Sequence, residues 1–312
     1  MSTDDALPFP EHSAPAAEKP QEHWNQYPAV LPDLSAAEYH RHPAVSKHGL
    51  DDFRKAPALY DYNRKNPQEA KSPALLFGSL YHTVILEPDL IGRLYAVVPS
   101  DAPKKPSRTQ REAKKPSQET LDAIAWWDDF NLRTEGRTIV DVQDIMRCQK
   151  MRAAMMKNLA CRNAIEEHRL YTEASLFWED QRTGVKCRAR PDIIRADGLI
   201  IDPKTCADAS EEAFQRAAFN YGYYRQAAMY LDGWEVVAQD KPKGFIFLAQ
   251  ESEPPYLCRA YVASPAMIDH GRMQLAEDLD RFAKCERLGV WPGLGDTPAE
   301  LNLPAWALPK AA

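Results

Sequence analysis

No stretch of this sequence approaches the roughly 18 consecutive apolar residues that span a bilayer, and the N-terminus lacks a basic segment followed by an apolar one. These absences argue against a helical membrane span and a secretory leader, so a cytoplasmic protein with no membrane partner is expected. Paired cysteines are missing as well: Cys148, Cys161, Cys187, Cys206, Cys258 and Cys285 are scattered, with no C-x-x-C among them. That spacing speaks against a zinc ribbon or a cysteine-held iron–sulfur cluster and leaves reduced, structural thiols. Nor is positive charge in excess, since 39 Lys and Arg face 45 Asp and Glu for a net charge of −6. A polyanionic partner would therefore need a local basic surface, which a globally acidic protein can still carry.

What is present is an ordinary globular composition, 44% hydrophobic and 27% charged over 312 residues, enough for one large domain with a full core. Residues 1–33 hold Pro8, Pro10, Pro15, Pro20, Pro28 and Pro32 with little aliphatic content. Such a segment buries too little apolar surface to offset its ordering entropy and reads as a disordered, acidic tail. The folded domain is expected over 34–295, opening near Ser35 as an N-cap, with a short tail at 296–312. The run LLFGSLYHTVIL at 75–86 reads as a buried helix stopped by Pro88, and 140–167 as helix-rich, with Ile145, Met151, Met155 and Met156 as core positions. Between them, residues 101–118 carry Lys104, Lys105, Arg108, Arg111, Lys114 and Lys115, broken by prolines. This segment is either a solvated flexible loop or a mobile basic flap that contacts phosphates.

The middle of the chain changes character. Residues 172–179, 185–194 and 199–204 read as three strands separated by the turn signals QRTG and ADG. A helix over 210–232, strands at 243–250 and 256–263, and a helix over 265–287 complete an α+β pattern, a central mixed sheet flanked by helices.

The second hairpin of that meander places charges together. A three-residue loop at Ala196–Gly198 pairs Arg195 with Leu199 and so sets Asp192 opposite Asp202. Opposed carboxylates repel at this spacing, about 4.5–5.5 Å between Cβ atoms, and give the fold no stability unless a cation lies between them. Lys204 follows Asp202 by two positions and shares its face. If QRTG is a four-residue loop, Asp180 pairs with Val185 and Glu173 falls opposite Asp192, a register that a one-residue slip would undo. Carboxylates converging on one point suit a hard divalent cation such as Mg²⁺, and phosphodiester hydrolysis uses such ions to generate hydroxide and neutralise transition-state charge. An ammonium beside the metal orients water or stabilises the phosphorane.

These residues, with SKHGLDDFRKAPALY at 46–60, ALLFGSLYHTVILEPD at 74–89, TEASLFWEDQRTGVKCRARPDII at 172–194, IIDPKT at 200–205, YYRQAAMY at 223–230 and WPG at 291–293, resemble the PD-(D/E)XK nuclease superfamily. Within it they resemble the RecE-type exonucleases (the exodeoxyribonuclease VIII catalytic domain) common in phages and prophages. The resemblance implies a restriction-endonuclease-like fold and a Mg²⁺-dependent exonuclease, with Mn²⁺ able to substitute, that digests linear double-stranded DNA 5′ to 3′ and leaves 3′ overhangs for recombination. It implies Asp192 and Asp202 as metal ligands, Lys204 as catalytic lysine, His82 as a metal-binding histidine, and the Thr205 carbonyl as a further ligand. Gln226 and Tyr230 match a Q-x-x-x-Y element and share a helix face, from which both reach DNA or the metal site. Without the resemblance, His82 and Tyr230 read as packing residues and Gln226 as a surface amide. A homo-oligomeric ring of three or four subunits and a single-strand annealing partner are also implied.

Two other functions remain open. One is a PD-(D/E)XK endonuclease or structure-specific nuclease using the same metal site. The other is a non-catalytic DNA-binding recombination protein, against which the intact Asp192, Asp202 and Lys204 set counts.

Overall fold

The computed structural model describes residues 27–67 and 72–302. The expectations for residues 1–26 and 303–312 lie outside the described residues. The chain opens with β1 (Ala29–Leu31), α1 (Ala36–Arg41), α2 (Lys47–Lys55), α3 (Pro57–Lys65) and α4 (Pro73–Leu86). The segment 27–33 thus departs from the expected tail. Residues Ala29–Leu31 pair antiparallel with 175–177, because a sheet edge recruits a short segment that has no core of its own. Ser35 caps α1 in a reciprocal capping box with Glu38, and Ser72 caps α4 with Pro73 at its first turn.

Next come α5 (Ile91–Leu94), β2 (Tyr95–Val97), α6 (Arg108–Arg111), α7 (Gln118–Arg133), β3 (Thr138–Val140), α8 (Val142–Lys157) and α9 (Leu159–Glu166). The basic segment 101–118 is therefore not wholly loop, since Ser107 and Gln110 form a capping box that starts one helical turn. Helix α7, which sequence reading left out, buries Ala123, Trp127 and Phe130, and the last two pack with Ala96 in a satellite cluster. The break between α8 and α9 falls at Asn158, whose extended backbone ends one helix while its side chain accepts from the Cys161 N–H of the next.

The sheets are built from β4 (Arg169–Thr172), β5 (Ser175–Glu179), β6 (Lys186–Ala189), β7 (Ile193–Arg195) and β8 (Leu199–Cys206). After α10 (Glu211–Asn220) and α11 (Tyr223–Ala238) come β9 (Gly244–Glu251), β10 (Cys258–Val262) and α12 (Pro265–Leu288). The main sheet has the order β10-β9-β8-β7-β4, with β8 and β9 parallel and the other pairs antiparallel; β1-β5-β6 form a second, antiparallel sheet. Two strands expected to be continuous are each split between these sheets. Glu173 takes a left-handed backbone conformation at φ 53°, and Pro191 on the facing strand has no N–H for the ladder, so the hairpin bends there and changes sheet. The helix expected over 210–232 is likewise two helices, parted at Gly222, which adopts φ 64°.

Both faces of the main sheet are covered. Ile194, Ile200, Phe245 and Phe247 join the core beneath α2, α11 and α12, while Ile193, Ile201 and Leu248 join the core beneath α4, α8 and α9. Strand alternation sends each neighbour to the opposite layer. No helix among the described residues is long and apolar enough to cross a membrane.

Candidate active site

The hairpin arithmetic read from sequence matches the ladder. Ile193 pairs with Ile201 and Ile194 with Ile200, a register that carries Asp192 to the position facing Asp202. Across the first hairpin, Leu176 pairs with Ala189, Asp180 N–H donates to the Val185 carbonyl, and Glu173 N–H donates to the Asp192 carbonyl at 3.0 Å. Two local turns therefore bring Glu173, Asp192 and Asp202 to one end of the sheet, where the Pro191 bend interrupts the ladder.

Helix α4 delivers His82 to the same place, with Nδ1 3.2 Å from Asp192 Oδ1. The donor atoms of His82, Glu173 and Asp192 lie within 4.8 Å of one another, a spacing at which all three can hold a single metal ion. Asp192 Oδ2 is buried and meets no hydrogen-bond partner, which is costly for an anionic oxygen unless a cation binds it. A hard cation suits two carboxylates, and an imidazole nitrogen is better tolerated by Mn²⁺ than by Mg²⁺. These residues fit a divalent ion.

Beside this trio, Asp202 is 1% exposed, and its Oδ2, like that of Asp192, is buried without a hydrogen-bond partner and meets only an ion pair. Lys204 Nζ is 2.5 Å from its Oδ2, and Gln226 Nε2 on α11 donates to its Oδ1 at 2.6 Å. Lys204 Nζ also lies 5.3 Å from the centroid of the Tyr223 ring. Arg190 donates from Nε to Glu173 Oε2 at 2.8 Å, while its Nη1 is anchored on the Leu34 carbonyl and Ser175 Oγ.

Burial and charge compete throughout. Burial lifts the Asp202 carboxyl to about 6, with Lys204 pulling it down and Asp192 pushing it up. Burial also lifts Asp192, but the His82 imidazole against it wins and holds it below the usual carboxylate range. Glu173 is raised by burial and by repulsion from Asp192. Burial disfavours a charged His82, yet Asp192 outweighs it and raises the imidazole to about 9. Lys204 follows the same pattern: desolvation opposes its charge, and Asp202 more than restores it, so it remains an ammonium.

The sequence matches the family model described as a PDDEXK-like domain of unknown function (DUF3799) over residues 46–298. The chain belongs to that family. Its fold also resembles a protein named as a candidate exonuclease from Eubacterium rectale, at 12% identity and a TM-score of 0.56, covering 87% of this chain and 96% of that one. An alkaline exonuclease from Laribacter hongkongensis matches at 16% identity and a TM-score of 0.26, covering 58% of this chain and 88% of that one. The same enzyme in complex with dAMP gives 17% identity and a TM-score of 0.27 over 58% and 87%. No curated protein matches the sequence. The α+β nuclease fold expected from sequence is the one observed.

Within this PDDEXK-like domain the remaining expected residues fall in different places. Tyr230 sits one helical turn beyond Gln226, partly buried against the core, its ring 6.3 Å from that of Phe245. Its phenol is raised well above the ordinary value, by burial first and then by nearby anionic groups that include Asp202, Asp192 and Glu173. Gln226 was expected to reach the DNA or the metal site; its amide donates to Asp202, on the metal-site side of that expectation. Thr205 lies on β8 directly after Lys204, paired with Gln250 of β9. Lys104, Lys105, Arg108, Lys114 and Lys115 are all exposed; Lys105 rests 5.2 Å over the Trp127 ring and Arg108 is ion-paired with Glu112 at 2.7 Å. Arg111 is tied to Asp128 of α7.

Arg190 and Arg225 were missed in the sequence. Arg190 stands immediately before Pro191-Asp192, and its alternation with Arg188 was a readable sign of a face shared with Glu173. Arg225 is 3% exposed and joins Asp51 of α2 at 3.1 Å to Asp278 of α12 at 2.7 Å, a contact that no local spacing announces.

Proposed function

We propose that this protein is a divalent-metal-dependent exodeoxyribonuclease of the RecE type, using Mg²⁺ with Mn²⁺ as a substitute. It hydrolyses linear double-stranded DNA in the cytoplasm from 5′ to 3′ and leaves 3′ single strands for recombination. The observation that carries this reading is the His82–Glu173–Asp192 trio adjoining the Asp202–Lys204 pair at 2.5 Å, at one end of the main sheet. The trio, with the Asp202 carboxylate and the Thr205 carbonyl beside it, would hold the metal. When bound, that ion supplies a lowered pKa for an attacking water and neutralises charge on the phosphoryl oxygens.

The protein's own residues divide the remaining work. Lys204 keeps its proton because Asp202 stabilises the ammonium, so it serves as a hydrogen-bond donor to water or phosphate rather than as a general base. Gln226 occupies one oxygen of Asp202 and fixes the carboxylate's rotation, leaving Lys204 on the other. Arg190 holds the Glu173 carboxylate and balances its charge. The exposed lysines Lys104, Lys105, Lys114 and Lys115, with Arg108, supply a local basic surface for the phosphate backbone on an otherwise acidic protein.

A ring of three or four identical subunits around the DNA, working with a single-strand annealing partner, accounts for processive digestion by a modest basic surface. The test is end dependence. Purified protein with Mg²⁺ should degrade linear duplex, 5′ strand first, spare covalently closed plasmid, and scatter light as several times the mass of one chain. Rapid nicking of closed circles by a monomer would replace this reading with an endonuclease.

A further inference from the structure

The turn between α10 and α11 is rich in aromatic side chains that the metal site does not use. Tyr221 ends α10, and the left-handed Gly222 at φ 64° folds the chain back so that the Tyr221 ring stacks on Tyr223, 5.8 Å between centroids and 25° between planes. Tyr223 stacks in turn on Phe247 at 5.6 Å and 26°, and Phe247 is 2% exposed. The three rings form a column that begins in the core and ends in solvent, where Tyr221 is 66% exposed. Lys204 Nζ lies 5.3 Å from the middle ring. Lys47 Nζ donates to the Tyr221 carbonyl at 2.7 Å and pairs with Asp51 at 2.7 Å, tying the turn to α2 and placing a second ammonium beside it.

From this arrangement we infer that Tyr221 is a stacking site for an unpaired nucleobase of the strand whose phosphate lies at Lys204. The inference rests on the nuclease reading above and names a further part of that site. An exposed aromatic whose inner face is already covered by a fixed ring offers a flat, preorganised outer face. The ring stands one aromatic neighbour away from the ammonium assigned to the reaction, with Lys204 over the adjoining Tyr223 ring and Lys47 on the Tyr221 carbonyl, which suits a nucleotide's apolar base and anionic phosphate together. Every base has a π-face, so stacking holds a nucleotide without reading sequence, as an enzyme that digests any duplex requires. A base in a duplex has both faces covered by its neighbours, so only an unpaired or terminal nucleotide can occupy the site. The same turn exposes Phe219 at 68%, which makes a second copy of the chain the competing occupant.

The experiment crosses enzyme variants with altered DNA. Wild type, Tyr221→Ala and Tyr221→Phe are assayed with Mg²⁺ on 5′-phosphorylated linear duplexes. Each duplex is intact or carries one abasic nucleotide, at successive positions from the 5′ end. Wild type should lose about tenfold or more in kcat/KM when the missing base falls at one particular position. Tyr221→Ala should show a similar loss on intact DNA and no further loss on the abasic substrate, while Tyr221→Phe should match wild type. The mass of Tyr221→Ala by light scattering should be unchanged. Independent, additive losses would overturn the inference, as would a fall in mass that accompanies the loss of activity, which would assign Tyr221 to a contact between copies. If wild type neither cleaves nor binds DNA, the nuclease reading itself fails; if it cleaves but shows no coupling, only the stacking site fails.

Discussion

Gln226 and Asp202 are joined by a 2.6 Å hydrogen bond from Nε2 to Oδ1, although they lie on different elements, α11 and β8. With Lys204 on the other oxygen, this contact holds a carboxylate that is 1% exposed in one orientation. A buried carboxylate deprived of one donor is harder to ionise, and a hydrogen bond to a charged group contributes about 1.5–3 kcal/mol. Gln226→Ala should therefore lower cleavage by roughly tenfold to a hundredfold and weaken metal binding, with a circular dichroism spectrum like wild type. Weaker DNA binding at unchanged metal affinity would instead make Gln226 a DNA contact.

His82 links the metal to protons. Its imidazole is raised to about 9 by Asp192, so without metal it is charged at neutral pH. Stability from this pair is fully present below the free-imidazole value near 6.5 and is lost as pH rises through 9. Asp202, lifted from 3.8 to about 6, acts in the same direction at lower pH, because its ionisation between about 4 and 6 opposes folding. The metal-free protein should thus lose stability as pH rises across both windows. A metal that takes the His82 nitrogen must displace the proton, so apparent affinity should climb with pH up to about 9 and binding should release protons. Calorimetry in buffers of different ionisation enthalpy measures the release; His82→Ala should bind metal more weakly and lose the upper part of the pH dependence. A pH-independent affinity between 7 and 9 would remove His82 from the metal's ligands.

The base of α11 depends on a buried ion cluster. Asp278, with no exposed surface, receives Arg225 Nη1 at 2.7 Å and Arg54 Nη1 at 3.0 Å. Removing Asp278 leaves the buried Arg225 guanidinium with Asp51 alone, a cost of up to about 3–5 kcal/mol. Asp278→Ala should lose that much in urea unfolding, and Arg225→Met with Asp278→Leu should recover most of it. A single variant as stable as wild type would show that the cluster does not hold α11 in place.

The basic segment should affect affinity more than chemistry. Neutralising Lys104, Lys105, Lys114 and Lys115 together should weaken DNA binding and flatten its salt dependence by close to one unit of slope per lost phosphate contact. Arg108 and Arg111, already paired with Glu112 and Asp128, should matter less one by one. An unchanged slope would return the segment to a solvated surface.

What the sequence made readable was local. The loops Ala196–Gly198 and Gln181–Gly184 determine strand register over a few residues, so the facing of Asp192 with Asp202 and of Glu173 with Asp192 followed by counting outward. The sheet change at Pro191 and the α7 stripe of Ala123, Trp127 and Phe130 were also written locally but were passed over. Other features depend on partners distant in the chain. Nothing near Ala29 announces its pairing with Phe177, nothing near Arg225 announces Asp278, and a glutamine on a helix face does not reveal that its amide meets Asp202. His82 was legible only through resemblance, because its partner Asp192 is brought to it by tertiary packing.

Hydrolysis of DNA by the carboxylate–lysine cluster with a divalent metal is open to direct measurement. Its most direct test is single-turnover cleavage of an end-labelled linear duplex by wild type, Asp192→Asn, Asp202→Asn and Lys204→Met, with Mg²⁺ and with a chelator. Wild type should cleave only with Mg²⁺, and each variant should lose at least a hundredfold, about 2.7 kcal/mol or more of transition-state stabilisation, while keeping a circular dichroism spectrum like wild type. Cleavage in chelator, or a Lys204→Met protein turning over near the wild-type rate, would contradict the account.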